Sequence, residues 1–278
     1  MGILKLRRRN TAVAAGLATL AMAASLAAAP AQAVDKSNYI ALGDSYAAGQ
    51  GAGPYLDACY RSENTYSVLA ADDKAIKLVT NEACSGKTTQ EVVGTQLSRL
   101  NKSTELVTIT AGGNNLGFGD IVTSCGSADP NLADACAQAS TAAANKIYSG
   151  QLAAEVAEMI QSVQVAAPNA RIVVTGYPYL FDPVESTHPM ASFISQATLL
   201  ADGLNWSLAQ AVLASDTTTT DVQFVDVRTA FTGHGINSDE PWINGAIPDN
   251  PADSFHPNSL GYEAYYTALS AAGAYSAP

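Results

Sequence analysis

Charge is scarce in this sequence, and positive charge is the scarcest. Only 14% of the 278 residues are charged, with 14 Lys and Arg against 25 Asp and Glu. Four of the basic residues lie in the first ten positions, so the rest of the chain has 10 basic and 25 acidic residues, a net charge of −15. Such a surface repels phosphate backbones and anionic lipids, which argues against nucleic-acid binding and electrostatic membrane binding.

Several common motifs are also absent. The sequence contains no C-x-x-C pair, no H-E-x-x-H zinc motif and no G-x-x-x-x-G-K phosphate loop. It also lacks the G-x-S-x-G elbow of the α/β-hydrolases. Nothing in the sequence therefore supports a metal site or a cofactor, and we expect none.

Only one long apolar run is present, and it lies at the N-terminus. Positions 1–10 are basic, 11–30 are mostly Ala, Leu, Val and Met, and 31–33 form an Ala-x-Ala site. This order is typical of a cleaved secretory signal, with a membrane anchor as the alternative. We expect residues 1–33 to be removed and residues 34–278 to form a single secreted, monomeric domain.

The chain has only four cysteines, an even number that indicates disulfides in an exported protein. Four cysteines allow three connectivities. Nearest-neighbour pairing, Cys59 with Cys84 and Cys125 with Cys136, closes the shortest loops and is the pairing we predict. Four free buried thiols are the alternative.

Short apolar runs alternate with segments of helical periodicity. The runs predict strands that are buried on both faces of a parallel sheet, at 39–42, 75–79, 106–110, 171–175 and 222–226. Helices are predicted at 88–100, 145–166, 193–213 and 260–272. This alternation predicts an α/β fold with a doubly wound sheet. Residues 229–257 show no periodicity and are a candidate functional loop.

A serine and a histidine could form a catalytic pair. Ser45 follows the first strand and a glycine, at the edge of the sheet where open α/β folds bind ligands. His256 is one of only three histidines and could serve as its base, oriented by Asp253 three residues earlier. Taken singly, the serine could equally be a helix cap, and the D-x-x-H pattern could be a surface turn.

Two further segments could supply hydrogen-bond donors to an oxyanion. Gly86 follows the second strand at a helix start, where its backbone N–H is available. Asn114 follows the third strand and a pair of glycines, and its side-chain amide is also a donor. Both segments reach the same sheet edge as Ser45, although Gly-Gly-Asn is also an ordinary turn sequence.

Together, the four segments resemble the ordered sequence blocks of the SGNH hydrolases, also called GDSL esterases and lipases. The matching residues are Gly43-Asp44-Ser45, Gly86, Gly113-Asn114-Asn115 and Asp253-x-x-His256. The cysteines of the third block and the segments Gly233-His234-Gly235 and Trp242-x-Asn244-Gly245 are similar to the secreted actinobacterial lipase, esterase and phospholipase A1 branch.

The resemblance implies a fold and a role for each matched residue. The fold would be a three-layer α/β/α sandwich, flavodoxin-like, with five parallel strands in the order 2-1-3-4-5. Ser45 would be the nucleophile and His256 the general base and then the acid. The Ser45 and Gly86 N–H groups and the Asn114 amide would form the oxyanion hole.

Two departures from the family pattern matter. Asn115 stands where the third block commonly has Asp, and because that residue supports the loop we expect little change in chemistry. Some relatives orient the catalytic histidine with a backbone carbonyl. A carbonyl could therefore replace Asp253 as the third member of the catalytic triad.

The sequence therefore predicts a secreted carboxylic-ester hydrolase that forms an acyl-serine intermediate. A lipid or small-molecule ester is the expected substrate, and a carbohydrate O-acetyl esterase is the alternative. An inactive binding protein on the same fold is the alternative of another class, but the retained Ser45, Asn114 and His256 argue against it.

Overall fold

The computed structural model of the protein describes residues 36–72, 75–125 and 130–276. The predicted signal segment, residues 1–33, lies outside the described residues. No helix in the described ranges combines the length and the apolar character needed to cross a membrane.

The centre of the fold is a five-stranded parallel sheet with the order β2-β1-β3-β4-β5. Its strands are β1 (Ser37–Gly43), β2 (Ile76–Asn81), β3 (Leu106–Thr110), β4 (Arg171–Thr175) and β5 (Val222–Val225). The predicted fold class and strand order are confirmed. The β-branched runs of β3 and β4 are almost completely buried because helices cover both faces of the sheet.

Eight α-helices are formed by the described residues. They are α1 (Ser45–Ala48), α2 (Tyr66–Leu69), α3 (Thr89–Thr95), α4 (Phe118–Cys125), α5 (Ala133–Tyr148), α6 (Gln151–Ala166), α7 (Ala191–Ser215) and α8 (Ser259–Ala271). Helix α3 begins with the predicted capping box: the Thr88 side chain accepts from the Glu91 N–H, and the Glu91 carboxylate accepts from the Thr88 N–H.

The helices form two layers, one on each side of the sheet. Helix α6 packs against α3 and α7 on one face. On the other, Tyr66 of α2 stacks on Tyr265 of α8 with ring centroids 5.5 Å apart. The Tyr66 hydroxyl is hydrogen-bonded to the buried Thr110 hydroxyl, with 2.8 Å between the oxygens. This contact ties the second layer to the centre of the sheet.

One predicted helix is wrong in its bounds. The segment 145–166 was expected to be continuous, but the structure divides it between α5 and α6. The break is at Gly150, whose φ of 75° lies in the left-handed region that favours glycine. The long apolar face of α6 continues the periodicity across the break, so the apolar pattern alone does not reveal it.

The sheet topology places a crevice at the carboxyl ends of β1 and β3. The chain leaves β1 to form β2 on one side and then returns to form β3 on the other. Such a switch point is where open α/β sheets bind ligands. The described stretch 229–257 is irregular apart from two short 3₁₀ turns, Arg228–Phe231 and Pro251–Asp253, and its end lies against this crevice.

Candidate active site

The carboxyl end of β1 places Ser45 at the crevice. Gly43 precedes it with a φ of 133°, and a Cβ at this position would lie 2.1 Å from the Thr110 carbonyl oxygen. Only glycine allows this approach between β1 and β3. Asp44 then caps α1 by accepting from the Tyr46 N–H at 3.0 Å, which starts the helix at Ser45.

His256 lies directly against Ser45. Its Nε2 is 2.8 Å from Ser45 Oγ, and its Nδ1 is 2.9 Å from the Ser254 carbonyl oxygen. A carbonyl can only accept, so Nδ1 carries the proton and the Nε2 lone pair faces the serine hydroxyl. Burial lowers the pKa of His256 to about 4, so the imidazole is neutral near pH 7 and can accept a proton.

The carboxylate of Asp253 points elsewhere. It accepts hydrogen bonds from the Tyr55 hydroxyl and from Asn250 Nδ2, the latter at 2.6 Å. The 3₁₀ turn Pro251–Asp253 directs the carboxylate to these groups and brings the Ser254 carbonyl under the imidazole. Of the two arrangements considered from the sequence, the backbone carbonyl therefore makes the contact at Nδ1.

The segment that carries His256 is held from both sides. Asn244 donates its N–H to the His256 carbonyl and accepts from the Phe255 N–H, both at 2.9 Å. The Tyr46 hydroxyl donates to the Phe255 carbonyl at 2.6 Å. Asn244 belongs to one of the family-like sequence segments and Tyr46 follows Ser45, but neither pattern indicates that the two residues position the segment of His256.

Three hydrogen-bond donors lie in the segments that follow β1, β2 and β3. Among the described residues, the backbone N–H groups of Ser45 and Gly86 have no hydrogen-bond partner. The Asn114 amide uses one hydrogen to reach the Lys87 carbonyl at 3.0 Å, which places it beside Gly86 and leaves its second hydrogen available. Unpaired donors at a sheet edge are suited to an incoming oxyanion.

The Gly86 segment is braced by a disulfide. Both predicted disulfides are present, Cys59–Cys84 and Cys125–Cys136. The first lies two residues before Gly86, and the Cys84 N–H also donates to the Gly43 carbonyl at 3.0 Å. Gly86 itself has a φ of 77°, so glycine is needed here for its backbone conformation.

Asn115 performs the supporting role that the resemblance implies for its position. Its side-chain carbonyl accepts from the Thr89 N–H at 3.0 Å, and its amide donates to Glu155 at 2.7 Å. The amide thus joins the third block to the start of α3 and to α6. An aspartate here would place a second carboxylate against Glu155, so the asparagine is matched to its partner.

A buried series of hydrogen bonds links the turn before Ser45 to the Gly113-Asn114-Asn115 segment. The Tyr177 hydroxyl donates to Asp44 at 2.5 Å and accepts from the Gly113 N–H at 3.2 Å. Burial raises the pKa of Asp44 to about 7, because its hydrogen bonds, the one from Tyr177 foremost, only partly offset its desolvation. These hydrogen bonds connect two sides of the crevice.

An apolar cleft of about 940 Å³, including its open mouth, leads away from Ser45. Its sides are the apolar faces of α4 and α7, and its inner end includes Tyr46, Gly113 and Tyr177. The predominantly apolar lining with a few polar groups at one end is typical of a small-molecule site. No group of three or more potential ligands suited to a metal ion occurs within the described ranges.

The chain is similar to known ester hydrolases in sequence and in structure. A model of the GDSL-like lipase/acylhydrolase family matches residues 41–264. Lipase 1 of Streptomyces coelicolor is 34% identical over 261 residues, which cover 91% of this chain and 92% of that protein. The crystal structure of an extracellular lipase from Streptomyces rimosus has a TM-score of 0.76 and 32% identity, and that of phospholipase A1 from Streptomyces albidoflavus NA297 has a TM-score of 0.76 and 30% identity. Each match covers 85% of this chain and 99% of the solved one.

Proposed function

The chain belongs to the GDSL-like lipase/acylhydrolase family and is an ester hydrolase, and we propose that it is a secreted lipase or esterase that forms an acyl-serine intermediate. The 2.8 Å contact between His256 Nε2 and Ser45 Oγ, at the inner end of an apolar cleft, supports this proposal most directly. The two disulfides and the signal-like segment 1–33 support export.

In the proposed reaction, His256 takes the proton of the Ser45 hydroxyl as Oγ attacks the carbonyl carbon of the ester. The carbonyl oxygen becomes an oxyanion, which the N–H groups of Ser45 and Gly86 and the amide of Asn114 stabilise. The carbon–oxygen bond to the alcohol then breaks, and the alcohol leaves with the proton from His256. Water, deprotonated by the same imidazole, releases the acid from Ser45.

The Ser254 carbonyl orients the base in this mechanism. It holds the Nδ1 proton and so keeps the Nε2 lone pair directed at Ser45. It also stabilises the imidazolium that forms transiently, because a carbonyl dipole directed at an N–H favours the charged ring. Asp253 assists at longer range through its negative charge and by stabilising the turn that presents the carbonyl.

Replacing Asp253 by alanine should therefore lower kcat by less than about tenfold, whereas a direct orienting carboxylate is worth up to about 10⁴-fold. The Nδ1 contact survives this change, and what is lost is a remote charge and the hydrogen bonds from Tyr55 and Asn250. Initial rates on a soluble ester would measure the effect, with thermal unfolding as the check on folding. A loss of several hundredfold in folded protein would return the orienting role to the carboxylate.

The acyl chain of the substrate occupies the apolar cleft. The scissile carbonyl lies at Ser45, and the chain extends between α4 and α7, where it buries apolar surface at both walls. Each methylene buried in this way is worth about 0.8 kcal/mol. This favours esters of long fatty acids over acetate esters, and so a lipase or phospholipase over an O-acetyl esterase.

Hydrolysis of p-nitrophenyl esters from acetate to palmitate tests the proposed function. We expect turnover that requires Ser45 and a kcat/KM that rises with chain length. The Ser45→Ala variant is the blank. A maximum at acetate would favour the deacetylase, and absence of serine-dependent turnover at every length would contradict ester hydrolysis by this site. Phospholipids and triacylglycerols, compared next, would separate phospholipase A1 from lipase.

A further inference from the structure

Helix α4 directs its apolar residues into the cleft. Phe118, Ile121, Val122 and Cys125 line the cleft, and their spacing of three, four and seven residues places them on one face of the helix. Only Ser124 of this helix is buried, and Ile121 is partly buried against the core. The rest of the apolar face of α4 borders the cleft, where a core helix would contact packed side chains.

Helix α7 provides the opposite wall. The residues of α7 that line the cleft also lie on one helical face: Phe193, Gln196, Ala197, Leu200, Ala201 and Leu204. Leu204 marks the inner end, since its Cδ1 would be 3.4 Å from a Cβ placed on Gly112, next to the third block. Phe193 lies eleven residues earlier, so the wall runs for about 16 Å along the helix axis.

A disulfide fixes the far end of α4. Cys125 is its last residue and is bonded to Cys136 of α5. Ser140, one turn further along α5, also lines the cleft, with its Oγ 3.6 Å from Cys125 Sγ. The disulfide thus attaches a helix with little buried surface to a longer helix that packs against α7.

From these observations we propose that α4, held in place by the Cys125–Cys136 disulfide, is the wall that determines selectivity for long acyl chains. The inference rests on the proposed function, because it assigns the acyl chain to the cleft. A long chain in the cleft packs against the part of the apolar face of α4 that borders the cleft. An acetyl group ends close to Ser45 and does not reach that face, so its hydrolysis is independent of α4.

Val122 and Thr123 offer a matched pair of substitutions. Val122 lines the cleft and Thr123 is exposed on the solvent side of α4, and both are β-branched. In Val122→Trp the indole fills the cleft, so kcat/KM for the palmitate ester should fall by about 30-fold or more, the equivalent of a few buried methylenes. The acetate ester should be affected much less than the palmitate ester, and Thr123→Trp should keep the wild-type profile.

The double variant Cys125→Ala/Cys136→Ala provides a second test that adds no bulk. Without the tether, α4 should lose its fixed position, so KM for palmitate should rise several-fold while acetate hydrolysis is retained. Binding of a fluorescent fatty acid to Ser45→Ala protein, with and without Val122→Trp, gives a readout that does not depend on turnover. We expect the substitution to weaken that binding by a similar factor.

The outcomes separate the two proposals. Unchanged chain-length profiles in both Val122→Trp and the cysteine double variant, with acetate hydrolysis intact, would overturn the role of α4 alone. Equal losses in Val122→Trp and Thr123→Trp would also overturn it, since a general destabilisation of α4 would then explain the effect. Lack of serine-dependent turnover at every chain length in the wild-type protein would contradict the proposed function, and fatty-acid binding would still decide the role of α4.

Discussion

Replacing Ser45 by alanine should lower kcat by about 10⁴- to 10⁶-fold, and adding His256→Ala to that variant should lower it no further. The two side chains act as one unit, because the imidazole at 2.8 Å has no proton to accept once the hydroxyl is gone. His256→Ala alone should cost nearly as much, since the Ser45 hydroxyl then has no base. The residual rate in each variant should come from the oxyanion donors.

The measurement is single-turnover kinetics on a soluble ester for both single variants and the double variant. Labelling with a fluorophosphonate provides the control. Wild-type protein should be labelled at Ser45, His256→Ala only slowly, and Ser45→Ala not at all, while circular dichroism confirms that all are folded. Losses that add in the double variant would mean that the two residues act independently, which is incompatible with the hydrogen-bonded pair.

Replacing Asn114 by alanine should lower kcat by about 10²- to 10³-fold with little change in KM, as expected for the loss of one oxyanion donor. The amide is already oriented by its hydrogen bond to the Lys87 carbonyl, so its second hydrogen needs no reorganisation when the oxyanion forms. In the ground state the ester carbonyl is a weaker acceptor, so the contact contributes mainly in the transition state.

Asn114→Asp is a second substitution that tests whether the amide acts as a hydrogen-bond donor. It keeps the size and shape of the side chain but removes the donor, so it should lose at least as much activity as Asn114→Ala. The affinity for a boronic acid that mimics the tetrahedral intermediate should fall in parallel with kcat. A loss below about fivefold, or one confined to KM, would show that the amide acts in substrate binding and not on the oxyanion.

Much of the fold follows from local patterns. The runs 106–110 and 171–175 coincide with β3 and β4. A strand that is buried on both faces needs a short continuous run of apolar residues, so such runs are a specific signal for these strands. The region of Cys125 and Cys136 is different. No helix is predicted between residues 110 and 145, but the structure forms α4 and most of α5 there. Helix α4 is only eight residues long, and its apolar face borders a cleft.

The cleft itself could not be derived from the sequence. Six aromatic residues near predicted strand ends could have lined an acyl pocket or packed in the core: Tyr46, Tyr55, Tyr60, Tyr177, Tyr179 and Phe181. Tyr46 and Tyr177 line it, and most of the other lining comes from α4 and α7. Sequence periodicity predicts that each helix has an apolar face. It does not predict which helices place those faces opposite each other, because that depends on how the helices pack in the fold.

Local sequence patterns predict the candidate reactive groups and the edge of the sheet at which they meet. Ser45, Gly86 and Asn114 each follow a predicted strand, and the carboxyl ends of parallel strands lie together. What orients His256 depends on the tertiary fold. Asp253 and the Ser254 carbonyl are adjacent in the chain, and a D-x-x-H pattern is compatible with either. The choice depends on the backbone turn at Pro251–Asp253 and on Tyr55, almost two hundred residues away in sequence, which binds the carboxylate and leaves Nδ1 to the carbonyl.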